Sequence, residues 1–237
     1  MARKENATRE AAAPKLSRTL IVATALQQID ESGTTAMTMR SLAQHLNVEA
    51  MSLYRYVNGR EDLLEGVVAL LMDDVTAALR EAQDTRWQEF LQMVAHQVRR
   101  IAVDHPRAFP LVATRHPAAP WLRPPLRSIE VVQVFLASLI RHGFADAQAV
   151  DAYRAFSSFL LGQLLLESAV RGAETSPAEE SLDEGGADVP QGDGQATLAD
   201  APDVARLRDL LSEDRAQEEF EISLESLLDR FDRELSQ

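Results

Sequence analysis

The stretch Thr38-Met-Arg-Ser-Leu-Ala-Gln-His-Leu-Asn-Val-Glu-Ala-Met-Ser-Leu-Tyr-Arg-Tyr-Val57 decides the fold of this chain. Thr38 is a helix-capping residue. Behind it, Leu42, Ala43 and Leu46 fall on one face of a short helix. Asn47 comes next, and Asn tolerates the left-handed backbone that a tight turn needs. Val48 then leads into another short helix, about Ala50 to Tyr56, with Leu53 and Val57 as its anchors. A short helix, a tight turn, and a helix apolar on one face and polar or aromatic on the other make a helix-turn-helix pattern. Ser52, Tyr54, Arg55 and Tyr56 are left outward or oblique. A guanidinium such as that of Arg55 can pair bidentately with guanine in a major groove. The hydroxyls of Ser52 and the tyrosines can reach phosphates or bases.

Working outward, Ser17 can cap a helix to about Ser32, with Val22, Ala25, Leu26 and Ile29 at buried-face spacing. Gly33 stops it. After Val57, Asn58-Gly59 breaks the chain, and Asn58 with Glu61 reads as a capping pair for a helix to about Ala82. Further helices are expected over 87–104, 126–142, 146–171, 204–211 and 216–235. Six prolines between Pro106 and Pro125 predict turns and short helical pieces. Residues 1–14 read as a flexible tail. Residues 172–203 carry nine acidic and no basic residues, lack periodicity, and read as a disordered acidic loop.

The expected fold class is therefore all-α. It has a flexible tail (1–14), a three-helix helix-turn-helix DNA-binding domain (15–62) and a larger helical domain (63–237). Composition agrees: hydrophobic residues make up 46% and aromatics only 5%, and Gly and Pro number ten each. With no cysteine, a disulfide scaffold, a thiol nucleophile, a cysteine zinc site and an iron–sulfur cluster are excluded. The net charge is −13, but residues 1–60 hold eight basic against five acidic side chains, so the basic head sits on an acidic body. Only the head suits a phosphate backbone. The run Thr19–Leu26 resembles a short signal-peptide core, but Glu5 and Glu10 interrupt the basic stretch before it and Gln27-Gln28 ends it. No apolar run approaches the roughly 20 residues of a membrane span. The expectation is a cytoplasmic protein that does not engage a membrane.

The quoted stretch, within a wider match from about Leu16 to Val75, resembles the DNA-binding domain of the tetracycline-repressor (TetR) family. Leu42-Ala43, Val48, Leu53-Tyr54, Val57 and Leu63-Leu64 carry the resemblance. Phe220–Phe231 resembles the last helix of that family's tetracycline-repressor-like branch. His142-Gly143-Phe144 and Phe159-Leu-Leu-Gly162 resemble its inter-helix turn and long dimer helix. The resemblance implies a homodimer, joined by a C-terminal intersubunit four-helix bundle, that binds palindromic double-stranded operator DNA and is released by a small-molecule effector. By position, the DNA-contacting residues fall on Arg40, Ala50, Met51, Ser52, Tyr54, Arg55, Tyr56 and Arg60. Two departures stand out. Asn47 occupies a turn where Gly is usual. Ala50 and Met51 cannot donate side-chain hydrogen bonds, although either can touch a thymine methyl, so the operator should differ from that of tetracycline repressors.

For the effector, apolar composition and resemblance together suggest a pocket among the helices at 87–104, 126–142 and 146–171. Candidate lining residues are Phe109, Trp121, Phe135, Phe156 and Phe159, with Arg115, His116 or Gln133 as polar anchors; core packing is the competing role for each aromatic. Thr114-Arg115 resembles a loop near the tetracycline site. Leu111 or Val112 stands where that branch has its magnesium-coordinating histidine, so tetracycline–magnesium is not carried over. The five histidines are scattered, and no metal site or cofactor is assigned. There is no Gly-rich phosphate loop, nucleophile elbow or paired-carboxylate motif. The functional expectation is a ligand-responsive transcriptional repressor. The alternatives are a constitutive DNA-binding dimer and, from another class, a helical enzyme with a merely structural head.

Overall fold

The computed structural model describes residues 16–82, 85–114, 116, 118–173 and 201–235. The tail assigned to 1–14, most of the acidic loop and Arg115 lie outside them. The described residues form helices and turns without a strand. The chain divides into two compact units between Leu71 and Met72.

In the first unit, α1 (Arg18–Ala36) starts where Ser17 Oγ accepts the Leu20 N–H at 3.2 Å. Ile21, Val22, Ala25, Leu26 and Ile29 form its buried face. Gly33 has φ +82° and interrupts the regular helix where expected; Thr34–Ala36 add one more turn. Helix α2 (Met39–His45) opens with a reciprocal cap: Thr38 Oγ1 accepts from the Ser41 N–H and Ser41 Oγ from the Thr38 N–H. It closes on Asn47, whose φ is +53°. The Val48 N–H bonds the Ala43 carbonyl at 2.9 Å and the Asn47 N–H the Gln44 carbonyl at 3.1 Å. Those two bonds are the Schellman closure that a left-handed residue makes possible.

Helix α3 (Ala50–Leu53) is shorter than expected. Residues 54–56 leave the regular helix in a turn, with the Tyr56 and Val57 N–H groups both on the Leu53 carbonyl. The chain reverses just beyond, where Gly59 has φ +117°. Helix α4 (Arg60–Glu81) begins there. The expected Asn58–Glu61 capping pair is replaced: because the helix starts at Arg60, its third position is Asp62, whose Oδ2 accepts the Asn58 N–H at 2.7 Å. Gly66 lets α4 lie close against α1, since a Cβ there would sit 2.8 Å from Val22 Cγ2.

The second unit contains the remainder of α4, α5 (Trp87–Asp104), α6 (Ile129–Arg141), α7 (Asp146–Val170), α8 (Pro202–Arg206), α9 (Arg208–Leu211) and α10 (Ala216–Leu235). A 3-10 turn, Phe109–Leu111, lies in the proline-rich stretch. Helix α8 starts inside the segment read as loop, with Pro202 at its first position, where a missing N–H costs nothing. An aromatic cluster joins α5, α6 and α7: Phe135 lies 6.3 Å from Phe90, 5.8 Å from Tyr153 and 5.4 Å from Phe156. Helix α10 packs through Phe220, Leu224, Leu228 and Phe231. Trp87 reaches both Phe144 and Phe231, and Phe159 stacks on Phe220. Buried Glu167 of α7 accepts from Arg99 of α5 at 2.8 Å and from Arg171 at 3.2 Å.

Candidate nucleic-acid interface and apolar cavity

The surface carried by α3 and the turn after it is built on two anchors. Leu53 is fully buried and Val57 nearly so. With those side chains inward, the residues between and before them face solvent. Met51 is 73% exposed, Tyr54 48% and Tyr56 37%. Arg40 and Arg55 are also exposed, and Ala50 and Ser52 are half-buried. Tyr54 and Tyr56 are thus not core residues.

The arginines of this unit divide by their partners. Arg40 and Arg55 make no hydrogen bond or ion pair with another described residue, so their guanidinium groups are available to an anion or a base. Arg60 is held: its Nη2 donates to the Thr34 carbonyl at 2.9 Å and its Nε to the Met37 carbonyl at 3.5 Å. Arg18 meets Asp62 and also donates to the Tyr56 carbonyl at 3.3 Å, binding α1 and α4 to the turn that follows α3. Its role escaped the sequence, where it counts only as one more basic residue.

In the second unit an apolar cavity of about 30 Å³ lies among α4, α5, α6 and α7. Of the eight residues expected around a pocket, Phe135 and Phe156 line it. The others stand elsewhere. Phe109 is fully buried in the 3-10 turn, Phe159 packs on Phe220, and Trp121 is 74% exposed. Gln133 is exposed, and half-buried His116 accepts the Ala118 N–H through Nδ1. Arg115 lies outside the described residues. Met72, Tyr153 and Ser157, missed in the sequence, are in the wall. The spacing of Tyr153, Phe156, Ser157 and Leu160 puts them on one face of a helix and is the signal that finds them. The Tyr153 hydroxyl donates to the Pro124 carbonyl at 3.0 Å. Burial pushes its pKa above the ordinary phenol value, partly offset by the neighbouring Ser157 hydroxyl.

A capped helix, a Schellman turn and a short helix with an apolar underside and an exposed cationic and aromatic side define a helix-turn-helix DNA-binding protein. Residues 21–67 match the model of the bacterial regulatory proteins of the tetR family, and residues 81–232 match the tetracyclin repressor-like C-terminal domain. The chain belongs to the TetR family; it is a transcriptional regulator and not an enzyme. It is 28% identical over 209 residues to the class A tetracycline repressor protein from transposon 1721 of Escherichia coli, covering 81% of this chain and 93% of that one. It is 27% identical over 171 residues to an HTH-type transcriptional regulator of Saccharopolyspora erythraea, covering 72% and 69%. Among solved structures, a possible TetR family regulator from Streptomyces coelicolor A3(2) superposes with a TM-score of 0.67 at 26% identity, covering 92% of this chain and 99% of that one. The same fold occurs, at 22% identity and a TM-score of 0.61, in ActR of Streptomyces coelicolor, solved in complex with actinorhodin; the match covers 92% of this chain and 96% of that one.

Proposed function

We propose that this chain is a ligand-responsive transcriptional repressor that binds a palindromic operator as a homodimer and leaves it when a small molecule enters the apolar cavity. Residues 15–62 serve as the DNA-binding domain and residues 63–237 as the effector-binding and dimerisation domain. Arg55 and Tyr56 read base edges, with Met51 and Ala50 against a thymine methyl. Arg40, Ser52, Tyr54 and Arg60 position the head on the backbone. The observation that carries this reading is the exposed, unpaired guanidinium of Arg55 beside an anchored Leu53.

Dimerisation through α7 and α10 is supported by apolar side chains left in solvent. Leu166 and Val170 on α7 and Ile222 on α10 are exposed. A Cβ at Gly162 of α7 would meet nothing, so a second helix can approach there. In a two-fold dimer the recognition helices sit about one DNA turn apart, roughly 34–36 Å. Effector control is supported by Met72, a cavity-wall residue carried on the same helix, α4, whose first residue is Arg60. A ligand that displaces Met72 acts on that helix, and a preference of about 1–3 kcal/mol for the released state is enough to lower operator affinity five-fold or more. The complexes of ActR with actinorhodin and of a variant of the Acinetobacter baumannii TetR with minocycline support ligand binding on this fold.

One observation favours a second reading. The cavity is about 30 Å³, room for little more than a water molecule, as a constitutive dimer without an effector requires. Gel-shift titration of operator DNA with and without small molecules that raise the melting temperature separates the two. Loss of the shifted band with ligand supports a repressor released by its effector. Operator binding that no stabilising ligand changes supports the constitutive dimer.

A further inference from the structure

The chemistry of the cavity wall restricts what can occupy it. Among the described residues the wall is aliphatic and aromatic, with no Asp, Glu, Lys, Arg or His in it. Its polar side chains are Tyr153 and Ser157. The Tyr153 proton is committed to the Pro124 carbonyl. A hydroxyl has one proton and two lone pairs. With its proton spent, what the Tyr153 hydroxyl still offers is accepting capacity. A phenol is protonated at neutral pH and burial pushes its pKa further up, so the described wall residues carry no charge.

We infer that the effector is an uncharged, largely apolar molecule carrying one hydroxyl or N–H group that donates to the Tyr153 oxygen. This rests on the reading of the cavity as the effector site. A carboxylate or phosphate placed here would be stripped of water with no cation to face it, which is strongly unfavourable. A metal chelate would find no ligating side chain in the wall, and no group of three or more His, Asp or Glu among the described residues is placed to hold a metal ion. A purely hydrocarbon occupant would leave the hydroxyl lone pairs dry. Met72, unbranched and flexible, is the wall residue whose repacking would have to admit a guest larger than the 30 Å³ cavity.

Three probes of one shape test this on the full-length protein: 4-butylphenol, which can donate; 4-butylanisole, which cannot; and 4-butylbenzoate, which is charged. Calorimetry should show 4-butylphenol binding about tenfold or more tighter than the benzoate and several-fold tighter than the anisole. The double variant Tyr153→Phe, Ser157→Ala should bring the phenol and anisole affinities together. Leu160→Trp, or the milder Leu160→Phe where the first does not fold, should abolish binding of all three by filling the cavity. Benzoate binding as tightly as phenol, and lost in the Leu160 variant, overturns the inferred ligand class and leaves the effector site standing. Phenol binding untouched by the Leu160 variant overturns the site itself. Failure of all three probes to bind overturns the inference.

Discussion

Arg18 of α1 grips Asp62 of α4 through a two-pronged contact, Nη2 to Oδ1 at 2.7 Å and Nη1 to Oδ2 at 3.1 Å. The same carboxylate accepts the Asn58 N–H, and the same guanidinium reaches the Tyr56 carbonyl. One ion pair thus joins two helices and the turn that positions Tyr56. The geometry is bidentate, but the side chains are 45% and 25% exposed, so its worth is that of a well-formed surface pair.

The Arg18 hydrogen bond, followed by that from the Asn58 N–H, holds the Asp62 carboxyl below the ordinary carboxylate range. A depressed native pKa contributes stability that is complete above the unfolded pKa and is lost as pH falls through the native one. Asp62→Asn should therefore lower stability by roughly 0.5–1 kcal/mol at neutral pH. Thermal melts taken from neutral pH down through the carboxylate range should show the gap between wild type and variant closing in acid. A gap that stays constant across that range contradicts the assigned role.

At Asn47 the backbone needs a left-handed residue. Asn47→Gly should leave stability unchanged or slightly raised, while Asn47→Ala should cost about 1 kcal/mol. Denaturant titration of the two variants checks the order. Equal stability of the Gly and Ala variants would show that the Schellman turn is not what fixes the two helices.

Arg55 and Arg60 should behave differently although both carry the same charge. Arg55→Ala removes an exposed guanidinium with no partner among the described residues, so it should weaken operator binding by about 1–3 kcal/mol and relax sequence preference without changing the melting temperature. Arg60→Ala also removes bonds to the Thr34 and Met37 carbonyls, so it should lower stability by about 1 kcal/mol as well. Gel shifts and melts run side by side distinguish them.

Two aromatics that the sequence marks alike as pocket candidates should part equally clearly. Phe156→Ala should cost about 3–5 kcal/mol, since the ring is buried against Phe135. Trp121→Ala should change stability by no more than about 0.5 kcal/mol, because that side chain stands in solvent. Denaturant unfolding reads both.

The helical fold and the solvent-facing side of α3 are legible in the sequence because they are local. Thr38 caps, Asn47 turns, and Leu53 and Val57 anchor through residues three to five apart, within reach of periodicity. The Asn58–Glu61 cap was misplaced by one residue because Gly59 shifts the helix start, which spacing alone does not register. Periodicity does not mark Arg18, because its partners are 38 and 44 residues away. The cavity was half legible. Phe135 and Phe156 follow helical faces, but Trp121 and Phe109 belong to a proline-rich stretch with no period from which their direction can be read. Tyr153 escaped because its hydroxyl sets it apart from the Phe and Trp candidates, although it shares a helix face with Phe156.

The central claim is that two copies of a short anchored helix read an inverted repeat in duplex DNA. Selection of bound duplexes from a random pool by the full-length protein tests it most directly. The account predicts enrichment of a palindrome with half-sites about one helical turn apart, bound with an affinity that falls steeply as salt rises and lost by Arg55→Ala. Enrichment of no sequence, or of a lone half-site bound equally well by the Arg55 variant, would contradict it.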